Sequence, residues 1–143
     1  MSADAPSRAP LHIRPETLDA IERHARAEFP LECCGLLIGT NARIEQVVPA
    51  RNERRSPSRY LVRPEDHFAA IRLARQMRLE VVGAYHSHPG APPAPSATDR
   101  ADAQGGGFLY LIAAIDGPRR RATCAVWRLD GGNFVEVPFV RLA

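Results

Sequence analysis

The chain's longest uninterrupted apolar run is Phe108 to Ile115, and a shorter run, Val81 to Tyr85, precedes it. Runs of this length read as strands buried in the middle of a sheet. They are far too short to cross a membrane, which takes roughly 20 residues. The chain must therefore supply layers that cover such strands, and the helical patterns on either side of Val81 do so. At 143 residues with 45% apolar content it is long enough for one domain with a real core.

The first helix is expected from Pro15, with Leu18, Ile21, Ala25 and Phe29 along one face and Pro30 as its stop. A second runs from Pro64-Glu65-Asp66 to about Leu79, with Phe68, Ile71, Ala74 and Met77 as its buried stripe. Its acids lie at the start and Arg72, Arg75 and Arg78 towards the end, as the helix dipole favours. A short helix is expected over Ser96 to Gln104, broken by three glycines. Strands are expected at Leu11–Ile13, Cys33–Ile38, Ile44–Val48, Val81–Tyr85 and Leu109–Ile115. A final hairpin, Ala122–Leu129 with Phe134–Val140, turns at Asp130-Gly131-Gly132-Asn133. Asn52 to Arg59 reads as a loop, Tyr60 to Val62 as a short extended piece and Gly90 to Pro95, with three prolines, as a restricted loop. The expected fold is α/β, a largely antiparallel or mixed sheet flanked by helices. It forms one domain over residues 11–143 behind a frayed tail over residues 1–10, with no internal repeat.

The N-terminal stretch has no apolar h-region, so no secretory signal is expected. The three cysteines, Cys33, Cys34 and Cys124, form no CxxC pair, and their odd number fits a reducing cytoplasm. Net charge is +3 and every one of the 19 basic residues is arginine. The arginines are scattered and aromatics are few (6%), which argues against nucleic-acid binding. Arg51, Arg54, Arg55 and Arg59 do cluster, either as a solvated loop or as a docking patch for an acidic partner.

The chemistry concentrates at the end of the Val81–Tyr85 strand, in His86-Ser87-His88-Pro89, followed by Ser96 and Asp99. Side chains two apart on a strand share a face, so both imidazoles can reach one ion. Asp99 is the third candidate ligand. Ser96-Ala97-Thr98-Asp99 also matches a helix capping box, which needs no metal. Two histidines and one carboxylate leave a coordination position open, the mark of a catalytic rather than a structural zinc site. Glu32, in Pro30-Leu31-Glu32-Cys33-Cys34-Gly35, is either a surface residue at a helix–strand junction or a general base. Cys33 and Cys34 face opposite sides of their strand and read as small core residues.

These residues resemble the JAMM metallopeptidases of the MPN+ domain group, which includes zinc-dependent deubiquitinating enzymes. That motif is an upstream Glu, then His-x-His, seven residues, Ser, two residues and Asp. It stands here as Glu32, His86, His88, Ser96 and Asp99, and the segment Pro30 to Gly39 resembles the bacterial branch. The resemblance implies a cytidine-deaminase-like sandwich (the MPN fold). It makes His86, His88 and Asp99 ligands of one zinc ion, Glu32 the base toward a water, and Ser96 a hydrogen-bond donor to the scissile carbonyl. The deaminases' own His-x-Glu and Pro-Cys-x-x-Cys signatures do not occur, which disfavours base deamination.

By the same resemblance the substrate is the C-terminal tail of a ubiquitin-like or sulfur-carrier protein of the ThiS/MoaD kind, cleaved at a peptide or isopeptide bond. The compact chain suits a small carrier, whose acidic face the arginines near Arg51 would hold. A non-catalytic MPN scaffold is the alternative. Apolar area at the sheet edge would serve a homodimer, although the pattern leaves oligomeric state open.

Overall fold

The structure, a computed structural model, describes residues 10–103 and 107–141. Of the expected N-terminal tail, residues 1–9 lie outside the described residues, as do Gln104 and two of the three glycines after it. The elements are β1 (Leu11–Ile13), α1 (Pro15–Glu28), β2 (Cys34–Thr40), β3 (Arg43–Ala50), α2 (Pro64–Gln76), β4 (Glu80–Pro89), α3 (Ala97–Asp102), β5 (Leu109–Ile115), β6 (Thr123–Asp130), β7 (Asn133–Val137) and β8 (Phe139–Arg141).

All eight strands join one sheet in the order β7-β6-β5-β4-β2-β3-β1-β8. The β4/β5, β1/β3 and β1/β8 pairs are parallel, while β2/β3, β2/β4, β5/β6 and β6/β7 are antiparallel. The two apolar runs are neighbours at the centre: Gly83 to Pro89 pairs in register with Leu109 to Ile115.

Alternating residues of the central strands divide between two apolar clusters. Cys33, Leu37, Tyr85 and Leu111 pack with Leu18, Ile21 and Ala25 of α1. Cys34, Leu36 and Ala84 pack with Ala70 of α2. The period-2 alternation of a strand thus places α1 and α2 on opposite faces of the sheet. The α1 stripe falls where the spacing put it, with Thr17 added, and Phe29 packs half-buried against the same cluster.

The α2 stripe differs from expectation. Ala70 and Ala74 face inward, Ile71 is half-buried, and Phe68 is 62% exposed. Two alanines one turn apart let the helix lie close to the sheet, and Phe68 then falls on its outer side. Met77 caps the helix, which ends at Gln76 rather than near Leu79 because Arg78 turns the chain with φ +57°. The expected last strand is also divided. Val137 pairs with Val126 in β6, whereas Phe139 pairs with Leu11 at the far edge. Pro138, which cannot donate to a ladder, separates them. The sheet therefore curls until its two edges meet at one residue.

Candidate metal centre

β4 carries both histidines out of the core. His86 lies opposite Cys34 on β2 and beside Ile112 on β5, with His88 one repeat further along. Both are buried, and both share the α2 face with Ala84. Ser87 between them points to the other face, fully buried. Its hydroxyl accepts the Cys33 N–H at 2.8 Å and its own N–H donates to the Cys33 carbonyl at 3.1 Å. This pair of bonds continues the β2/β4 ladder one step past Cys34 and brings Glu32 alongside the histidines.

α3 supplies the third group. The Ser96 hydroxyl accepts the Asp99 N–H at 3.0 Å, and Asp99 Oδ2 accepts the Ser96 N–H at 2.9 Å, closing a complete capping box. The same Oδ2 lies 3.2 Å from His86 Nε2 and 3.0 Å from His88 Nε2, which are 3.1 Å from each other. Capping and convergence on the histidines, alternatives in the sequence, occur together on one oxygen.

The loop over residues 90–95 fixes the His88 ring. His88 Nδ1 lies 2.8 Å from the Pro92 carbonyl, an acceptor only, so the ring proton sits on Nδ1. In the neutral ring, Nε2 then turns its lone pair toward the Asp99 carboxylate. Two lone pairs facing at 3.0 Å repel unless a proton or a cation lies between them. A divalent ion would satisfy all three atoms at once, and an imidazole held at its far nitrogen by a carbonyl is the usual support of a metal ligand. Ligand atoms of His86, His88 and Asp99 lie within 4.8 Å of one another. The donor set, two nitrogens and one oxygen, suits zinc with one position left open.

The charge balance matches the geometry. Burial lowers the His86 value, against the pull of Asp99. Burial also opposes charge on His88, but the Asp99 carboxylate and the Pro92 carbonyl outweigh it and raise its value. Burial works against Asp99 too, yet hydrogen bonding to both histidines holds it well below the usual carboxylate range. Glu32 goes the other way. It is 4% exposed, Oε1 has no hydrogen-bond partner among the described residues, and burial pushes its pKa up to about 8, with His88 pulling down and Asp99 pushing up. It is a buried carboxyl near the histidines, not the surface residue of the alternative reading. Cys33 and Cys34 are buried on opposite faces, their thiols pushed up to about 12 chiefly by burial, so neither is an activated nucleophile.

Sequence reasoning missed the loop that closes the site. Asn52 Nδ2 donates to the Glu32 carbonyl at 3.1 Å and the Arg59 carbonyl at 3.0 Å, while its Oδ1 accepts from the N–H groups of Arg54 and Leu61, each at 2.9 Å. The Ser56 carbonyl accepts the Glu32 N–H at 2.8 Å. The loop thus grips the backbone of Glu32 and delivers Tyr60, whose ring stacks on His86. Beside it opens a cleft of about 680 Å³ lined by Arg54, Tyr60, Leu61, His67, Asp99 and Phe108. The arginine cluster is partly spent: Arg51 forms a two-pronged pair with Asp66, and Arg59 reaches Asp102 at 3.6 Å. An Asn amide gives no motif in sequence; only its position inside a closed loop shows its role.

The family model for prokaryotic homologs of the JAB domain matches residues 14–130, and the chain belongs to that family. The desampylase of Haloferax volcanii is 35% identical over 84% of this chain and 89% of its own length. The CysO-cysteine peptidase of Mycobacterium tuberculosis is 30% identical over 90% of this chain and 88% of its own length. Among solved structures, a protein from Desulfitobacterium hafniense superposes with a TM-score of 0.83 at 26% identity, over 92% of both chains. A JAB1/MPN domain protein from Archaeoglobus fulgidus shares the fold, with a TM-score of 0.56 at 18% identity over 92% of this chain and 97% of its own. The α/β architecture with a mixed sheet between helices is thus that of the JAB/MPN domains. Among the described residues, no helix is long and apolar enough to cross a membrane.

Proposed function

We infer that this chain is a JAMM-type peptidase that uses one zinc ion, held by His86, His88 and Asp99, to hydrolyse the bond at the C-terminal tail of a ubiquitin-like or sulfur-carrier protein. The convergence of two Nε2 atoms and Asp99 Oδ2, with a buried Glu32 whose Oε1 has no hydrogen-bond partner among the described residues, carries this reading. Relatives support the substrate class: they are named desampylase, CysO-cysteine peptidase and probable TtuB-protein conjugate cleaving protease.

Zinc, when bound, supplies Lewis acidity that acidifies water and polarises the scissile carbonyl. The protein's own groups do the rest. Glu32 takes a proton from the attacking water and passes it to the leaving amine. In the metal-free chain burial holds its pKa up at about 8, and a bound dication beside it would draw the value down toward the ionised form that a base needs. Ser96 spends a lone pair of its hydroxyl on the helix cap, which leaves its O–H free to donate to the carbonyl oxygen as negative charge develops. Asn52 and Ser87 hold the peptide between Glu32 and Cys33, and the Ser56 carbonyl holds the Glu32 N–H on its other side. The non-catalytic scaffold reading gives no role to a buried carboxyl aligned with a complete donor set.

The test is Glu32→Gln, assayed on a carrier protein extended past a C-terminal Gly-Gly. The variant is expected to keep about one zinc per chain and to lose several orders of magnitude in kcat. Cleavage at the parent rate would remove Glu32 from the chemistry.

A further inference from the structure

The two imidazoles of the centre are not supported alike. His88 is oriented by its Nδ1 contact with the Pro92 carbonyl at 2.8 Å. His86 Nδ1 is buried and has no hydrogen-bond partner among the described residues. A ligand ring normally donates its second N–H to a carbonyl or carboxylate, which fixes its rotation. His86 has instead an aromatic ring laid against its face. Tyr60 stacks on it with centroids 4.3 Å apart and planes 20° from parallel, and the His88 ring meets it edge-on at 4.9 Å. We propose that Tyr60 is the positioning residue of His86, replacing by ring stacking the hydrogen bond that this ligand lacks. The proposal rests on the metal reading above.

Two features make the stack a device rather than a chance contact. Rotation of His86 about its Cβ–Cγ bond would drive its edge into the Tyr60 face, so the stack limits one of the two torsions that aim Nε2 at Asp99. An imidazole bonded to a divalent ion also gains positive character, which the electron-rich face of a phenol ring favours. Tyr60 is itself held: the Asn52 amide binds the two peptide groups flanking it, the Arg59 carbonyl and the Leu61 N–H. Tyr60 also packs with Cys34, Leu36 and Ala84, so its ring is wedged between the sheet and the open cleft.

Cobalt(II), which accepts the same nitrogen and oxygen ligands as zinc and absorbs visible light, is the probe. Its affinity and absorption band are measured on the full chain for the parent, Tyr60→Phe, Tyr60→Leu and Tyr60→Met, with metal-free thermal midpoints as a check on folding. Tyr60→Phe keeps the stack and is expected to match the parent in affinity and band. Tyr60→Leu and Tyr60→Met lose it and are expected to bind about tenfold more weakly, with a shifted or broadened band. The proposal fails if the folded aliphatic variants bind within about twofold of the parent with the same band, or if Tyr60→Phe loses as much as they do. The Met variant decides the matter should the Leu variant not fold. A parent chain that takes up no cobalt would instead sink the metal reading, a different outcome from an unchanged variant.

Discussion

Ser96 and Asp99 hold each other twice: the serine hydroxyl accepts the aspartate N–H at 3.0 Å, and the aspartate Oδ2 accepts the serine N–H at 2.9 Å. The helix cap thereby aims the carboxylate. Oδ2 is fixed by a backbone group at the same time as it faces both histidines, so its place beside them is set by the protein alone.

Asp99→Asn separates the two duties. The amide oxygen still accepts from Ser96, so α3 stays capped, while the negative charge toward the histidines disappears. Elemental analysis after desalting is expected to find about one metal per chain in the parent and almost none in the variant. Thermal midpoints in chelator are expected to stay within a few degrees of each other.

Ser96→Ala removes the hydroxyl and leaves the Ser96-position N–H bound to Asp99. Metal content is expected to hold. The lost cap costs about 1 kcal/mol in a denaturant melt. The lost donor costs roughly 10² to 10³ in kcat. A rate equal to the parent's would leave the serine only its cap.

Glu32 gives the pH dependence. Its folded pKa, about 8, lies above the unfolded value of 4.5, so the folded state holds this proton more tightly. The stability it contributes is complete below the unfolded value and is lost as pH rises through the folded one. Glu32→Gln has no charge to bury. In metal-free protein the variant is expected to be more stable than the parent by about 2–4 kcal/mol at pH 9 and close to equal near pH 4.5, measured by urea unfolding at each pH. A gap that does not change with pH would contradict the burial argument.

Gly83 lies where β4 first meets β5, and a Cβ there would strike the Leu109 carbonyl oxygen, a backbone atom that cannot move aside. Gly83→Ala is expected to cost about 2–4 kcal/mol in unfolding free energy. Gly90, with open space around it, lies in the left-handed region at φ +75°; there the cost comes from the backbone alone and is smaller.

The sequence carried the histidine pair plainly, because residues two apart on any strand share a face whatever surrounds them. It favoured ligand over cap for Asp99, although both uses demand the same residue at the same place; in the structure the capping Oδ2 also faces both histidines. Phe68 misled because an apolar residue at helical spacing marks a buried face only if the facing surface has room for it; beside Ala70 and Ala74 it does not. The jump of Phe139 across the sheet had no local signal beyond Pro138, as strand partners are fixed by distant residues. Asn52 and Tyr60 were invisible for the same reason: their roles arise only when a loop closes on Glu32 and His86.

Zinc titration of chelator-treated protein, followed by cleavage of a Gly-Gly-tailed carrier fusion, tests the central claim most directly. Cleavage is expected to be absent without metal, to rise in proportion to added zinc and to level off at about one equivalent per chain. Full cleavage by the metal-stripped chain, or failure to take up any divalent ion, would contradict it.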